Sequence, residues 1–148
     1  RAWPGNPLVI EAEGEKHDGF AAAQAALAAS GTVSLELALA GTPHVVAYRV
    51  NPVTAWLARR LVRVRFVNLV NLVLDRAVVP ELLQDECTGA TLADAVLTLF
   101  KDPRAGETQR AAFAEAMRAL SPGEGTPSAH AADAVLDTLA RQNKGQSP

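Results

Sequence analysis

Cysteine, aromatic residues and long apolar runs are all scarce in this chain. The single cysteine, Cys87, excludes an intramolecular disulfide and a cysteine-rich zinc site. Aromatic residues make up 5% of the chain, too few for a surface that stacks nucleic-acid bases. No uninterrupted apolar run approaches the roughly 20 residues that a membrane-spanning helix needs. The formal net charge of −2 does not favour a nucleic-acid partner either.

Apolar residues are abundant, at 49% of 148 residues, which excludes a disordered chain and suffices for one modest core. The chain begins at Arg1 without a methionine or a basic leader, so we expect a piece of a longer, cytoplasmic protein. The one unpaired thiol agrees with that compartment. The three histidines, His17, His44 and His130, lack metal-binding spacing, and we expect neither a metal nor a cofactor.

Positive charge is concentrated in one stretch of the chain. Residues 49–66 contain no acidic residue and five arginines, namely Arg49, Arg59, Arg60, Arg63 and Arg65. Such a block suits a phosphate, an anionic membrane surface or a partner protein. It also suits the solvated end of a helix, where cations complement the helix dipole. Trp56 within the block fits either a membrane-facing surface or an inward core position.

The hydrophobic pattern predicts alternating strands and helices in the first two-thirds of the chain. Strands are expected at residues 8–10, 25–29, 44–48 and 64–74. Between them we expect a helix or turn at 15–23 and helices at 32–40 and 51–62. This order predicts parallel βαβ units. Helix 32–40 is apolar on nearly every face and should be buried, with Gly41 and Pro43 ending it.

The last third of the chain is predicted to be helical. A short helix at 80–84 precedes one that Thr91 opens, with Asp94 as its reciprocal cap and Asp102-Pro103 as its end. Amphipathic helices follow at 107–120 and 128–141, separated by a Pro- and Gly-rich loop. We therefore divide the chain into a partial Rossmann-like lobe at residues 1–103 and C-terminal helices with a frayed tail at 104–148.

The clearest candidate site lies where the predicted strand 25–29 meets the helix that follows. Ser30, Gly31 and Thr32 form a small-residue turn at the helix N-terminus, where free backbone N–H groups and the helix dipole favour an anion. Glu36 lies about one turn further, where a carboxylate can accept hydrogen bonds from ribose hydroxyls. This spacing fits a nucleotide, although Ser-Gly-Thr is also a common helix cap and a lone glutamate is often only solvated.

Several stretches closely resemble the lipid-A-disaccharide synthase family. They are SGTVSLE at 30–36, AGTPHVVAYR at 40–49, PVTAWLARRLV at 52–62, VPELLQ at 79–84 and AADAVL at 131–136. Asn71 and Arg76, which lie between the third and fourth of these stretches, also agree with the family. The resemblance covers essentially the whole chain in order. Two positions depart from the family pattern: Val70 replaces a common proline, and Asp75 replaces a glycine often found before the arginine.

The resemblance implies a fold and an activity. The fold would be part of the C-terminal, Rossmann-like lobe of a GT-B-type glycosyltransferase, with a parallel sheet, flanking helices and a helical C-terminus. The family joins UDP-2,3-diacylglucosamine to 2,3-diacylglucosamine 1-phosphate, giving the β-1,6-linked lipid A disaccharide and UDP. The donor nucleotide would bind this lobe. The acceptor site and the general base would lie in an N-terminal lobe absent here, so we expect no catalytic residue in this chain and no activity from it alone.

The resemblance also implies ligands and partners. UDP would contact Ser30, Gly31, Thr32, Glu36, Tyr48, Arg49 and Asn71, with Arg49 on the diphosphate and Asn71 on uracil or ribose. We expect a homodimer with exchanged C-terminal elements and a peripheral position on the inner membrane. Two alternatives remain open: another UDP-N-acetylglucosamine enzyme lobe, epimerase-like or peptidoglycan glycosyltransferase-like, or a non-catalytic nucleotide-binding module.

The remaining polar residues are expected to have ordinary structural or surface roles. His17 with Asp18 could contact the base or sugar of a nucleotide, but a surface position is the expectation. Cys87 is expected to be an inert thiol, and Gln84 is expected to be structural. Arg76 and Glu81 are expected to pair with each other near a helix start.

Overall fold

A parallel β-sheet organises the computed structural model, which describes residues 5–29, 31–51, 65–121 and 126–144. Strands β1 (Ala26–Ala29), β2 (His44–Tyr48) and β3 (Glu81–Leu83) lie in the order β1-β2-β3. Both strand pairs are parallel. The prediction of an α/β chain built on a parallel sheet is therefore confirmed.

Helices surround this sheet and continue to the C-terminus. They are α1 (Glu13–Ala22), α2 (Thr32–Leu39), α3 (Leu69–Leu74), α4 (Gly89–Lys101), α5 (Pro103–Leu120) and α6 (Pro127–Lys144), with a 3₁₀ turn at Gln84–Glu86. The core cluster joins Val46 of β2 to residues of α2, α3 and α5, among them Ala38, Val70 and Phe113. Helix α5, which follows the predicted domain boundary, thus supplies part of this core.

The end of α2 follows from its sequence, as predicted. The helix ends at Leu39, and Gly41 adopts a φ of 72°, a left-handed conformation that glycine tolerates without steric cost. Pro43 then leads into β2, where Val45 and Val46 are completely buried. The expectation that α2 is buried on nearly every face is wrong, because Val33 and Leu39 are 42% and 65% exposed.

Residues 8–10 do not form the predicted strand. They lie in extended chain before α1, and Leu8 and Val9 are 86% and 72% exposed. A strand needs a neighbouring strand to satisfy its backbone groups, and in the described residues none lies beside this segment. The apolar composition of residues 8–10 was therefore not enough to make them a strand.

Residues 65–74 are not a strand, although their β-branched residues favoured one. The side chain of Asn68 accepts hydrogen bonds from the backbone N–H groups of Val70 and Asn71, and so caps the N-terminus of α3. Asp75 ends α3 in the left-handed region, with a φ of 47°. A local cap and packing against α5 override strand propensity here.

The segment 80–84 is likewise not the predicted helix. Residues Glu81–Leu83 pair with β2, and Val46 donates its backbone N–H to the carbonyl of Pro80 at 2.9 Å. The hydrogen bonds with β2, which lies 35 residues earlier in the sequence, decide the conformation of this segment. The local sequence gives no sign of this pairing. Gln84 leaves the strand with a φ of 51°.

The C-terminal helices agree with the prediction except at their ends. Helix α4 begins at Gly89, and Thr88 and Thr91 form its capping box, so Asp94 is not the reciprocal cap. Helix α5 begins at Pro103, with Asp102 as its N-cap, rather than at residue 107. Helix α6 begins at Pro127, one residue before the prediction.

The predicted helix at 51–62 falls largely outside the described residues, as do Trp56, the arginines at 59, 60 and 63, and Ser30. In the parts of the chain that the structure covers, no helix has the length and apolar character to cross a bilayer.

Candidate functional site: the carboxyl edge of the sheet

Four of the predicted site residues lie at one edge of the sheet. Ala29, the last residue of β1, pairs with Ala47 of β2, so the two strands end side by side. Gly31 and Thr32 follow β1, whereas Tyr48 and Arg49 lie at the end of β2. Ligands of open α/β sheets bind outside the carboxyl ends of neighbouring parallel strands.

The N-terminus of α2 is open at this edge. Gly31 is its N-cap, with a φ of 123° and a ψ of −154°, a conformation that side-chain-bearing residues rarely adopt. Among the described residues no side chain caps the helix, and Gly31 and Thr32 are exposed. The first turn of α2 therefore has no described side-chain cap, and the N–H groups of an uncapped helix N-terminus can bind a phosphate.

Glu36 lies on the same face of α2 as Thr32, because residues four apart are neighbours on a helix. Its Oε2 atom is 3.2 Å from Lys16 Nζ, and about 28% of the side chain is exposed. Oε2 itself is buried and has no hydrogen-bond partner among the described residues. Glu36 is thus a half-buried carboxylate one turn from the N-terminus of α2, and its contact with a nucleotide stays a prediction.

Tyr48 and Arg49 face solvent where β2 ends. Tyr48 is 41% exposed, and Arg49 is exposed as well. No described carboxylate forms an ion pair with Arg49. Its guanidinium is therefore available to an anion at this edge.

Asn71 differs from the other predicted ligands because it is completely buried. Its amide nitrogen donates to the Val79 carbonyl and to Glu81 Oε1, each at 2.8 Å. Its oxygen accepts from the backbone N–H groups of Val78 and Val79 at 2.9 Å. These four bonds use the whole capacity of the amide. A contact with UDP stays a prediction for Asn71, and the geometry favours a structural role.

A buried polar chain behind α2 was not predicted from the sequence. Ser34 Oγ lies 2.8 Å from His44 Nε2, and His44 Nδ1 lies 3.0 Å from the Thr42 carbonyl oxygen. The Asn68 amide nitrogen donates to Ser34 Oγ. Ser34, His44 and Asn68 are all at most 2% exposed. The only sequence signal was a set of polar residues within apolar runs, and that signal does not identify partners.

Helix α5 completes the surroundings of His44. The backbone N–H of His44 donates to Gln109 Oε1 at 2.8 Å, and Gln109 Nε2 donates back to the His44 carbonyl. Phe113 stacks on the imidazole ring, with 5.3 Å between ring centroids. Burial lowers the pKa of His44, while its hydrogen bond to the Thr42 carbonyl opposes that shift. The histidine is therefore neutral and structural.

The predicted pair between Arg76 and Glu81 is wrong. Arg76 forms an ion pair with Glu115 of α5. Glu81 instead accepts from the backbone N–H groups of Val67 and Asn68, at 2.8 and 3.0 Å. Glu81 thereby joins the start of β3 to the segment that leads into α3.

Gln84 and His17 each have a contact of their own. With its amide oriented to satisfy both atoms, Gln84 pairs with the backbone of Val50, which supports the predicted structural role. His17 is exposed and contacts Phe20 edge to face. The described residues contain no group of three or more His, Cys, Asp or Glu side chains arranged to hold a metal ion.

Comparison with known proteins identifies the family. Residues 6–135 match the family model described as lipid-A-disaccharide synthetase. The chain belongs to this family. It is 52% identical to the lipid-A-disaccharide synthase of Gluconobacter oxydans over 94% of its length, and 48% identical to that of Rhodospirillum centenum over its whole length. A third synthase, from Paramagnetospirillum magneticum, is 47% identical over 99% of the chain.

The match covers only part of each relative. It spans 34%, 38% and 37% of the three synthases, respectively, so the chain corresponds to about a third of a lipid-A-disaccharide synthase.

Proposed function

We propose that this chain is the UDP-binding part of a lipid-A-disaccharide synthase, a hexosyltransferase of lipid A biosynthesis. The complete protein would join UDP-2,3-diacylglucosamine to 2,3-diacylglucosamine 1-phosphate, with UDP as the leaving group. Membership of the family supports the reaction. The open N-terminus of α2 beside the Glu36 carboxylate supports the assignment of the nucleotide to this part.

Each group at the sheet edge has a chemical role in this proposal. The N–H groups at Gly31 and Thr32 bind phosphate oxygens, and the proposal includes Ser30, which precedes Gly31 in the sequence. Arg49 donates a two-pronged pair of hydrogen bonds to the diphosphate, and Tyr48 lies beside it. Glu36 accepts hydrogen bonds from the ribose hydroxyls. Together these groups stabilise the negative charge that grows on UDP as the bond to the sugar breaks.

Binding of UDP and uridine by the complete protein tests this proposal, with calorimetry as the measurement. Glu36→Ala removes one charged acceptor, worth roughly 1.5–3 kcal/mol, and should weaken both ligands about 10- to 100-fold. Arg49→Lys should weaken UDP about tenfold and leave uridine unchanged, because a lysine cannot form the fork. Glu107→Ala, an exposed glutamate of α5, serves as the control. Unchanged UDP affinity in Glu36→Ala would refute the site, and equal losses for both ligands in Arg49→Lys would remove Arg49 from it.

The proposal extends to assembly and location. We propose a homodimer that exchanges C-terminal elements, because Val135, Leu136 and Leu139 on α6 are 52–62% exposed and need a cover. We also propose a cytoplasmic protein that is peripheral on the inner membrane, since its substrates carry acyl chains. Arg65, whose guanidinium lies 5.3 Å from the centre of the Phe66 ring, is the one cation of the basic block besides Arg49 within the described residues. It suits an anionic surface.

A further inference from the structure

The side chain of Lys16 in helix α1 contacts Glu36 of the candidate site. Its ammonium lies 3.2 Å from Glu36 Oε2 and 3.4 Å from Oε1, and it also forms an ion pair with Glu13. The side chains of Lys16 and Glu36 are only 27% and 28% exposed. Helix α1 buries none of its own residues completely.

A second hydrogen bond fixes α1 in place. Thr42, in the connection between α2 and β2, donates its hydroxyl to the Phe20 carbonyl near the C-terminus of α1, at 2.6 Å. Two polar contacts, at Phe20 and at Lys16, therefore hold the helix across α2. The Lys16 contact ends at the carboxylate that the proposed function assigns to ribose.

The two oxygens of Glu36 have different surroundings. Oε2 is buried and lacks a hydrogen-bond partner in the described part of the chain, so the nearby ammonium is what compensates its charge there. Ion pairing with Glu13 and with Glu36 raises the pKa of Lys16, which keeps the ammonium charged. Because Oε2 is buried, a ligand would bind Oε1, which already accepts one hydrogen bond from Lys16 and can accept a second.

We propose that Lys16 is a positioning residue for the nucleotide: it holds the Glu36 carboxylate so that Oε1 faces the ribose. The inference rests on the proposed function. A free glutamate samples many rotamers, and a ligand that binds it must order the side chain. Lys16 orders it beforehand, which improves affinity without a contact between Lys16 and the nucleotide.

This role has a specific consequence, because Lys16 acts only through the ribose hydroxyls. Its removal should weaken UDP and should leave 2′,3′-dideoxy-UDP unaffected, since that nucleotide has no hydroxyl for Glu36 to bind. A lysine that bound phosphate, or one that merely stabilised the fold, would affect both nucleotides equally. The ratio of the two affinities therefore separates positioning from the other roles.

The experiment measures binding of both nucleotides to the complete protein by calorimetry. Lys16→Met, which keeps most of the side-chain volume, should weaken UDP about three- to tenfold, as expected for one side chain that must be ordered on binding. The affinity for 2′,3′-dideoxy-UDP should change less than about twofold. Lys16→Arg should restore most of the UDP affinity. Lys101→Met, an exposed lysine of α4, is the matched control and should change neither affinity.

Two results would overturn the inference. Equal weakening of both nucleotides by Lys16→Met would assign Lys16 to phosphate binding or to folding, and unchanged UDP affinity would make the pair with Glu36 an ordinary ion pair. Glu36→Ala tested in parallel separates these failures from failure of the proposed site. If Glu36→Ala weakens UDP selectively and Lys16→Met does not, only the role of Lys16 falls. If Glu36→Ala fails to discriminate the nucleotides, the ribose contact and the role of Lys16 fall together.

Discussion

Ser34 and His44 join helix α2 to strand β2 through a hydrogen bond that only a neutral histidine can accept. The Thr42 carbonyl can only accept a bond, so His44 Nδ1 carries the proton and Nε2 accepts the Ser34 hydroxyl. The Ser34 oxygen in turn accepts from Asn68. The bonds therefore run in one direction, from Asn68 to Ser34, from Ser34 to His44 and from His44 to the Thr42 carbonyl. Because Ser34 lies between Thr32 and Glu36, the same bond sets the orientation of the helix that carries the candidate site.

The first prediction is a loss of stability in acid that depends on His44. Burial holds the pKa of His44 below its ordinary value of 6.5, so the unfolded chain takes up a proton before the folded chain does. The contribution of neutral His44 to the free energy of unfolding is fully present above about pH 6.5. It falls as the pH drops from there towards the pKa of the folded state, by at most about 1.4 kcal/mol per pH unit for one proton.

The measurement is urea unfolding at pH values from 7.5 to 5.0, for the original chain and for His44→Gln. The variant should be less stable at pH 7.5 but should lose this part of the pH dependence. His130→Gln, which alters an exposed histidine of α6, is the control and should keep it. Parallel pH curves for the original chain and His44→Gln would contradict the prediction.

The second prediction concerns Asp75, where the resemblance to the family leads us to expect a glycine. Asp75 has a φ of 47° and a ψ of 36°, a left-handed conformation that costs a side-chain-bearing residue roughly 1–2 kcal/mol. Asp75→Gly should therefore raise the free energy of unfolding by about 0.5–1 kcal/mol, after the greater freedom of glycine in the unfolded chain is subtracted.

Loss of the ion pair between Asp75 and Arg65 should matter little, because the two side chains are 82% and 73% exposed and 3.7 Å apart. Asp75→Ala removes the same pair without relieving the backbone, so it should not stabilise the chain. Thermal unfolding of both variants checks the prediction. Equal stability of the glycine and alanine variants would show that the conformation at position 75 carries no strain.

The third prediction tests the proposed homodimer. Replacement of Val135, Leu136 and Leu139 by serine removes the exposed apolar stripe of α6 and should convert the complete protein from dimer to monomer. Truncation after Leu120 should do the same. Light scattering measures the mass directly. Asp137→Ser alters the same helix outside the stripe and should leave the dimer intact, whereas a serine triple variant that stays dimeric would assign the interface elsewhere.

The sequence by itself determined the elements whose cause is local. The β-branched pair in β2, the glycine at position 41 that ends α2 and the proline that follows act within a few residues, and the structure has them as predicted. The parallel pairing was also predictable, because a helix between two successive strands is the usual connection of a parallel pair. The turn of Gly31 and Thr32 with Glu36 one turn later was visible for the same reason.

Only the tertiary structure decided the features that depend on distant residues. Residues 81–83 became a strand because β2 offered hydrogen bonds, and residues 69–74 became a helix because Asn68 capped it and α5 covered it. The ion pair of Lys16 with Glu36 joins residues that are 20 positions apart in the sequence. The hydrogen bonds between Gln109 and His44 join residues that are 65 positions apart. Spacing and propensity describe a residue's own neighbourhood, whereas a buried polar group is stable only if folding brings it a partner, and that partner is known only once the chain is folded.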